Sequence, residues 1–403
     1  MTTAAYPLRT DVKVIALVCV AHLMSHFYVL VVPPIFFLLT EEFGVGYAAM
    51  GLAMTMFYLA SGMLQTPAGF LVDRVGGKTV LVGGLAVVSG GTLLIGLAPS
   101  YPLLLAAFMF AGAGNSVFHP SDMAILNARI EPTRLGYAFS LHAVAGNLGW
   151  IVAPLFSVGL ATAFGWRTAL IAAGAIGLAI TLLLAFQPVL RTETQVTAPG
   201  ESDRRRDGGG LRGNLMLLLS VPVLTCFSFF VFSSMTTVAL QTFSIPAMVG
   251  LYGVAVTLAT GTLTGYLLGA VAGTLAGGFI ASRTRRHDAA AITGILAAML
   301  FVLALASGRL PQAMLFLTMG LAGFFVGTVN PSRDIIIRDV TPAHARGKVY
   351  GFVYSGMDLG SSVGPPLVGW LLDTGRPQLV FLAGAGALFL CAATMFLLGR
   401  ARR

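Results

Sequence analysis

The chain has 403 residues, 57% of them hydrophobic and only 10% charged, with a mean hydropathy of +0.87 and a formal net charge of +9. A water-soluble protein carries about a quarter charged residues, so these proportions exclude a soluble enzyme or binding module. At roughly 20 apolar residues per bilayer crossing, the apolar content is enough for about a dozen crossings and leaves little chain for anything but helices and loops.

In chain order the apolar segments lie near residues 14–39, 46–72, 79–98, 101–127, 135–162, 167–188, 214–240, 254–281, 289–307, 311–337, 347–372 and 377–399. Arg9 and Lys13 precede the first run. It is longer than a signal-peptide core and lacks a small-residue cleavage site, so it reads as a membrane span. With the N-terminus inside, 21 of the 24 Lys and Arg residues fall on the cytoplasmic side, and only Arg167, Arg309 and Arg376 fall outside. This positive-inside bias predicts a multi-pass protein of the cytoplasmic (inner) membrane with both termini cytoplasmic. The basic charge is then topogenic, and no nucleic-acid partner is expected. Cys19, Cys226 and Cys391 all lie within apolar runs, so no disulfide framework is indicated.

Residues 190–213 interrupt the series. They are polar and glycine-rich, with Arg204 to Arg206 and Gly208 to Gly210, and read as a flexible linker. The halves on either side repeat at an offset of 211, which pairs Pro120 with Pro331, Ser121 with Ser332, Gly136 with Gly347, Asn147 with Asp358, Gly149 with Gly360 and Pro154 with Pro365. The predicted fold is an all-α membrane protein of twelve transmembrane helices in two six-helix pseudo-repeats, residues 1–189 and 214–403, an architecture used by secondary transporters.

Between the second and third spans lies G-F-L-V-D-R-V-G-G-K, Gly69 to Lys78. Asp73 there faces the negative pole of its own helix, which is unfavourable unless it meets a cation or another helix's N-terminus. The first turn of the eleventh span, near Gly347, offers free N–H groups on the same side. This stretch resembles the loop signature of the major facilitator superfamily, and the resemblance in length, halves and motif covers the whole chain. It implies that Asp73 and Arg74 latch two bundles as a cytoplasmic gate. The matching second-half stretch has Ser282 where the acid would stand, which implies a weakened second latch. In the first half, A-H-L-M-S-H (Ala21 to His26), G-N-S-V-F-H-P (Gly114 to Pro120) and G-N-L-G (Gly146 to Gly149) resemble the fosmidomycin-resistance efflux branch of that superfamily. Gly146, Gly149 and Pro154 are also similar to the glycine-and-proline pattern of exporters.

Ionisable groups at bilayer depth are costly and usually face water or a partner. Asp358, near the middle of the eleventh span and with no cation within a turn of it, is the first candidate for coupling to a proton gradient. A structural acid or a fixed ion pair is the alternative. His22 and His26, spaced i, i+4, share a face of the first span, and imidazole changes charge near neutral pH, so both join the proton-coupling set. Candidate substrate contacts are Asn147 and His142 on the fifth span, His119 on the fourth, Asn330 and Arg333 on the tenth, and Ser233 and Ser234 on the seventh. Asp122 and Asp334 join Asp73 and Arg74 as gate residues, with Arg333 as a possible ion-pair partner of either acid. Pro120 and Pro331 should bend the fourth and tenth spans.

No phosphate-binding loop, H-E-x-x-H or paired Cys/His spacing is present, so no enzyme activity, cofactor or metal is expected. The chain is expected to work as a monomer in the lipid bilayer, moving a small-molecule substrate by alternating access and drawing on an ion gradient, most simply H+. The family resemblance implies a cavity lined by spans 1, 4, 5, 7, 10 and 11. Proton antiport exporting a small amphipathic or anionic compound is the preferred reading; symport importing a small organic acid or polar nutrient is the alternative.

Overall fold

The structure, a computed structural model, describes residues 8–191, 216–340 and 346–401. Most of the linker, with Arg204 to Arg206 and Gly208 to Gly210, lies outside them, as do the side chains around Gly347. The described chain is built of α-helices, because in hydrocarbon each backbone N–H and C=O must find its partner within its own segment.

In chain order the helices are α1 (Leu8–Leu30), α2 (Phe36–Phe43), α3 (Tyr47–Val75), α4 (Gly77–Leu97), α5 (Tyr101–Asn115), α6 (Phe118–Arg129), α7 (Leu135–Phe164), α8 (Trp166–Ala185), α9 (Val221–Thr237), α10 (Ser244–Tyr252), α11 (Val256–Arg283), α12 (His287–Ala306), α13 (Gln312–Val340), α14 (Arg346–Asp373) and α15 (Gln378–Ala401). Eleven segments of the described chain are long and apolar enough to cross a membrane. The twelfth expected span is α14, 28 residues long. Its Ser355, Asp358, Ser361, Ser362 and paired prolines make it more polar than the others.

The internal repeat is legible in the helix starts. α5 and α13 begin at Tyr101 and Gln312, and α7 and α14 at Leu135 and Arg346, each pair 211 residues apart. Asn147 and Asp358 therefore occupy the same register in equivalent helices.

The chain separates into two compact units, Met1–Val45 with Leu52–Thr197, and Gly46–Gly51 with Ala198–Arg403. The opening turn of α3 thus belongs to the second unit. There the Asp373 carboxylate accepts hydrogen bonds from the backbone N–H groups of Tyr47 (2.7 Å) and Ala48 (2.9 Å), an acid capping the positive end of a helix.

Among the described residues three spans depart from a single straight helix; in the seventh, a wider π-helical stretch, Val238–Thr242, leads from α9 into α10. The first is interrupted by a tight turn at Pro33–Ile35 between α1 and α2, where two successive prolines cannot donate backbone hydrogen bonds. The fourth breaks between Asn115 and Phe118, which places Pro120 in the first turn of α6, where a missing N–H costs nothing. The tenth runs through Pro331 as one helix, α13, so a helix break accompanies the proline in one half only.

Within the first unit α1 packs along α7, and α4 lies against α5 and α8; within the second, α9 packs along α14 and α12 against α13 and α15. Glycines carry these seams, as is usual where lipid offers no hydrophobic drive between helices. Gly149 and Gly146 of α7 face α1, and Gly356 and Gly360 of α14 face the backbone of α9.

Candidate functional site

α1, α6 and α7 bring five of the predicted residues to one place in the first unit. Asp122 is fully buried, and His22 and His142 are 3% and 5% exposed. His22 Nδ1–H and His142 Nε2–H both donate to Asp122 Oδ2, at 3.1 and 3.0 Å. Their rings stack at 3.5 Å between centroids. His26 lies one turn along α1 with its ring 4.6 Å from that of His22 and 4.3 Å from Trp150. His119, exposed, stands 5.6 Å from His22. Four of the chain's six histidines thus gather around one carboxylate.

The local sequence explains the arrangement. The i, i+4 spacing puts His22 and His26 on the same stripe of α1, and the break before α6 turns Asp122 inward. Gly146 leaves room for the rings: a Cβ there would stand 2.8 Å from His26 Cε1 and 3.0 Å from His22 Nε2. The cluster is not fully satisfied. Asp122 Oδ1 and His26 Nδ1 are buried and have no hydrogen-bond partner among the described residues. A carboxylate removed from water requires a countercharge nearby, or its desolvation dominates. The donor atoms of His22, Asp122 and His142 lie within 4.8 Å of one another, close enough to hold a metal ion.

This placement revises the expected role of Asp122. Its carboxylate accepts hydrogen bonds from two imidazoles of its own bundle. His142 and His119, expected as substrate contacts, belong to the same cluster. Trp150 joins it without having been predicted; an aromatic interrupting a glycine-rich stripe was the available signal.

In the second unit Arg333 donates from Nε to Asp334 Oδ1 (2.9 Å) and from Nη1 to Asn330 Oδ1 (3.0 Å), and its guanidinium lies 4.9 Å over the Phe230 ring. Of its two possible acid partners it is therefore Asp334 that it engages. Ser234 bonds the Met357 carbonyl at 2.9 Å and Ser361 at 2.6 Å, which ties it to helix packing, whereas Ser233 is half-buried. Asp358 is exposed, two residues from the Gly356 and Gly360 seam and so on the opposite side of α14. It makes no hydrogen bond or ion pair with a described residue. Asn147 is half-buried, its amide bonded to the Ala143 carbonyl. Asp73 and Arg74 are exposed at the end of α3, and Asp73 lines an open pocket of about 370 Å³ with Gln65, Gly69, Phe70 and Pro120. Ser282, in place of the second acid, bonds back to the Phe279 carbonyl.

A polytopic helical chain with duplicated halves and a carboxylate buried among imidazoles within its spans is the build of a membrane carrier. The family model described as "Major Facilitator Superfamily" matches residues 18–263 and 225–403, and the chain belongs to that family of transporters. It is 24% identical over 402 residues to the fosmidomycin resistance protein of Escherichia coli K12, covering 96% of this chain and 93% of that one. It is 27% identical over 252 residues to the multidrug resistance protein B homolog of Mycobacterium tuberculosis, covering 61% of this chain and 44% of that one. Among solved structures, the fold is similar to a bacterial homolog of the human lysosomal transporter Spinster, with a TM-score of 0.78, 17% identity and 98% of each chain covered. The nucleoside transporter NupG superposes with a TM-score of 0.76 at 13% identity, covering 96% of this chain and 99% of that one. The chain is thus a multi-pass major facilitator transporter that resembles the fosmidomycin-resistance branch.

Proposed function

We propose that this transporter exports a small amphipathic or anionic compound across the cytoplasmic membrane by alternating access, in exchange for protons, working as a monomer with both termini in the cytoplasm. The observation that carries this reading is the fully buried Asp122 with four histidines around it. Such a group is expensive to keep in a membrane bundle unless its charge is used. A proton shared among the imidazoles supplies the countercharge, and its release on opening to one side ties substrate movement to the gradient. Asp358, exposed and without a partner among the described residues, is a second carboxyl for the same cycle. The names of the relatives, resistance to fosmidomycin and to multiple drugs, support export of such compounds. Arg333 with Asn330 suits a carboxylate or phosphonate and also favours the alternative, a symporter importing a small organic acid.

The test is transport in proteoliposomes under an imposed pH gradient, with a panel of amphipathic and anionic compounds and a pH-sensitive dye. Export predicts substrate and protons moving in opposite directions. Asp122→Asn should abolish gradient-driven movement while leaving substrate-for-substrate exchange. Movement in the same direction identifies the symporter, and undiminished gradient-driven transport by Asp122→Asn overturns the coupling assignment. Asp358→Asn and His26→Ala follow the same protocol.

A further inference from the structure

We propose that His22, Asp122 and His142 form a binding site for a divalent transition-metal ion, with Zn²⁺ the best match to the donors. This goes beyond the transport reading: the ion would compete with the coupling proton for the same three side chains, because metal ligands must be deprotonated. Two imidazole nitrogens and one carboxylate oxygen from three different helices converge, with both nitrogens 3.0 to 3.1 Å from the oxygen. Donors bound to a tetrahedral Zn²⁺ at its usual bond lengths stand about 3.4 Å apart, so each nitrogen–oxygen pair opens by a few tenths of an ångström, and the stacked rings turn out of parallel so that both nitrogens, within 4.8 Å of one another, face one ion. Among the described residues no other group of three such donors comes together.

Three further observations point to a ligand. Asp122 Oδ1 is buried without a partner among the described residues, although the residue is fully enclosed. His26 Nδ1 is likewise buried and unpartnered, with its ring 4.6 Å from that of His22. A small rotation, or a water, would complete a fourth position, since three protein donors with one open place are a recurrent zinc arrangement. The exposed His119, 5.6 Å from His22, marks an entry step from the bundle surface to the enclosed donors. A divalent ion there would also neutralise the carboxylate, and the chemistry of two imidazoles with one carboxylate favours Zn²⁺ over the all-oxygen sites of Mg²⁺ and Ca²⁺. The sequence shows no metal spacing because the ligands are 20 to 120 residues apart and meet only through helix packing.

The experiment uses the full chain, purified without a polyhistidine tag and stripped with a chelator. Co²⁺ is added as a spectroscopic stand-in, followed by Zn²⁺ in equilibrium dialysis. The expected result is the visible d–d absorption of a low-coordinate Co²⁺, its displacement by Zn²⁺, one tightly held Zn²⁺ per chain, and a melting temperature raised by Zn²⁺ through mass action. Asp122→Asn and His142→Ala should each weaken Zn²⁺ at least about tenfold, while His287→Ala, in the other bundle, should bind as the wild type does. Absence of both the Co²⁺ bands and saturable Zn²⁺ binding in the wild-type protein overturns the proposal, whether or not the variants fold. Unchanged binding by Asp122→Asn and His142→Ala, or loss in His287→Ala, places the ion elsewhere and overturns it equally. None of these readouts needs transport, so a failure here is distinguishable from a failure of the exporter reading.

Discussion

Gly149→Ala is the most informative perturbation of the first bundle, because it acts on the cluster through the α1–α7 seam without touching its polar atoms. A Cβ at Gly149 would stand 3.0 Å from His26 Cβ and from the backbone N of Phe27, and closer still to the Leu23 carbonyl oxygen; ordinary contact begins at 3.4 Å. α1 must therefore retreat by more than the 0.4 Å that the 3.0 Å contacts alone would require, since the Leu23 carbonyl oxygen stands closer than they do. The Leu23 carbonyl is main chain and cannot swing aside. That movement draws His22 and His26 on α1 away from His142 on α7, and the single Asp122 oxygen between the two rings can no longer hold both at 3.0 to 3.1 Å. Overpacking of this kind costs about 1–3 kcal/mol, partly masked by a helix-propensity gain of about 1 kcal/mol for replacing glycine by alanine. Gly159→Ala on the same helix carries that gain alone, since nothing lies within 4 Å of its Cβ position. The difference between the two variants isolates the packing cost, worth roughly 2–12 °C of melting temperature for a bundle of this size. Thermal unfolding in one detergent reads it directly. If Gly149→Ala and Gly159→Ala melt together, the close α1–α7 approach is not what holds the cluster, and the reasoning fails.

Other perturbations follow from single contacts. Tyr28→Phe removes a hydroxyl that reaches both Ser89 Oγ and the Ala173 carbonyl at 3.0 Å, so it should cost about 0.5–1.5 kcal/mol by thermal unfolding; no change would mean that the hydroxyl does not tie α1 to α4 and α8. Asp11→Asn breaks the pair with Arg134 Nε at 2.7 Å, in which Asp11 is buried and Arg134 partly exposed. A loss of about 1–3 kcal/mol is expected, together with faster protease cleavage at the α6–α7 turn, and protection equal to the wild type would refute the clamp. Arg333→Lys cannot reproduce the planar fork that meets Asp334, Asn330 and Phe230, so the second bundle should lose about 1–2 kcal/mol; an unchanged melting curve would show the three contacts to be incidental. Asp373→Ala deletes the cap on the first turn of α3 and should cost about 0.5–2 kcal/mol, with faster amide exchange at Tyr47 and Ala48 as the local readout.

What the amino-acid sequence determined by itself is whatever depends on the bilayer as a solvent. The spans follow from the length of apolar runs, the repeat from the constant offset that α5 with α13 and α7 with α14 keep, and the family signature from Gly69 to Lys78. Even α14, more polar than the other spans, was legible as an apolar run near 347–372, and Pro154 and Pro365 share that offset. The two repeat-related prolines differ, Pro120 sitting after a helix break and Pro331 inside an unbroken helix, a difference that the shared local motif does not set. His22 and His26 could be paired from spacing, because both lie on one helix with a known period. Asp122 could not be assigned to them. Its partners come from α1 and α7, 100 and 20 residues away, and only the glycine-permitted approach of those helices brings them within hydrogen-bond distance. Local periodicity governs which face a residue takes, but the choice of the face opposite it is made by packing, and there the tertiary structure alone turned an acid expected at a gate into the centre of an imidazole cluster.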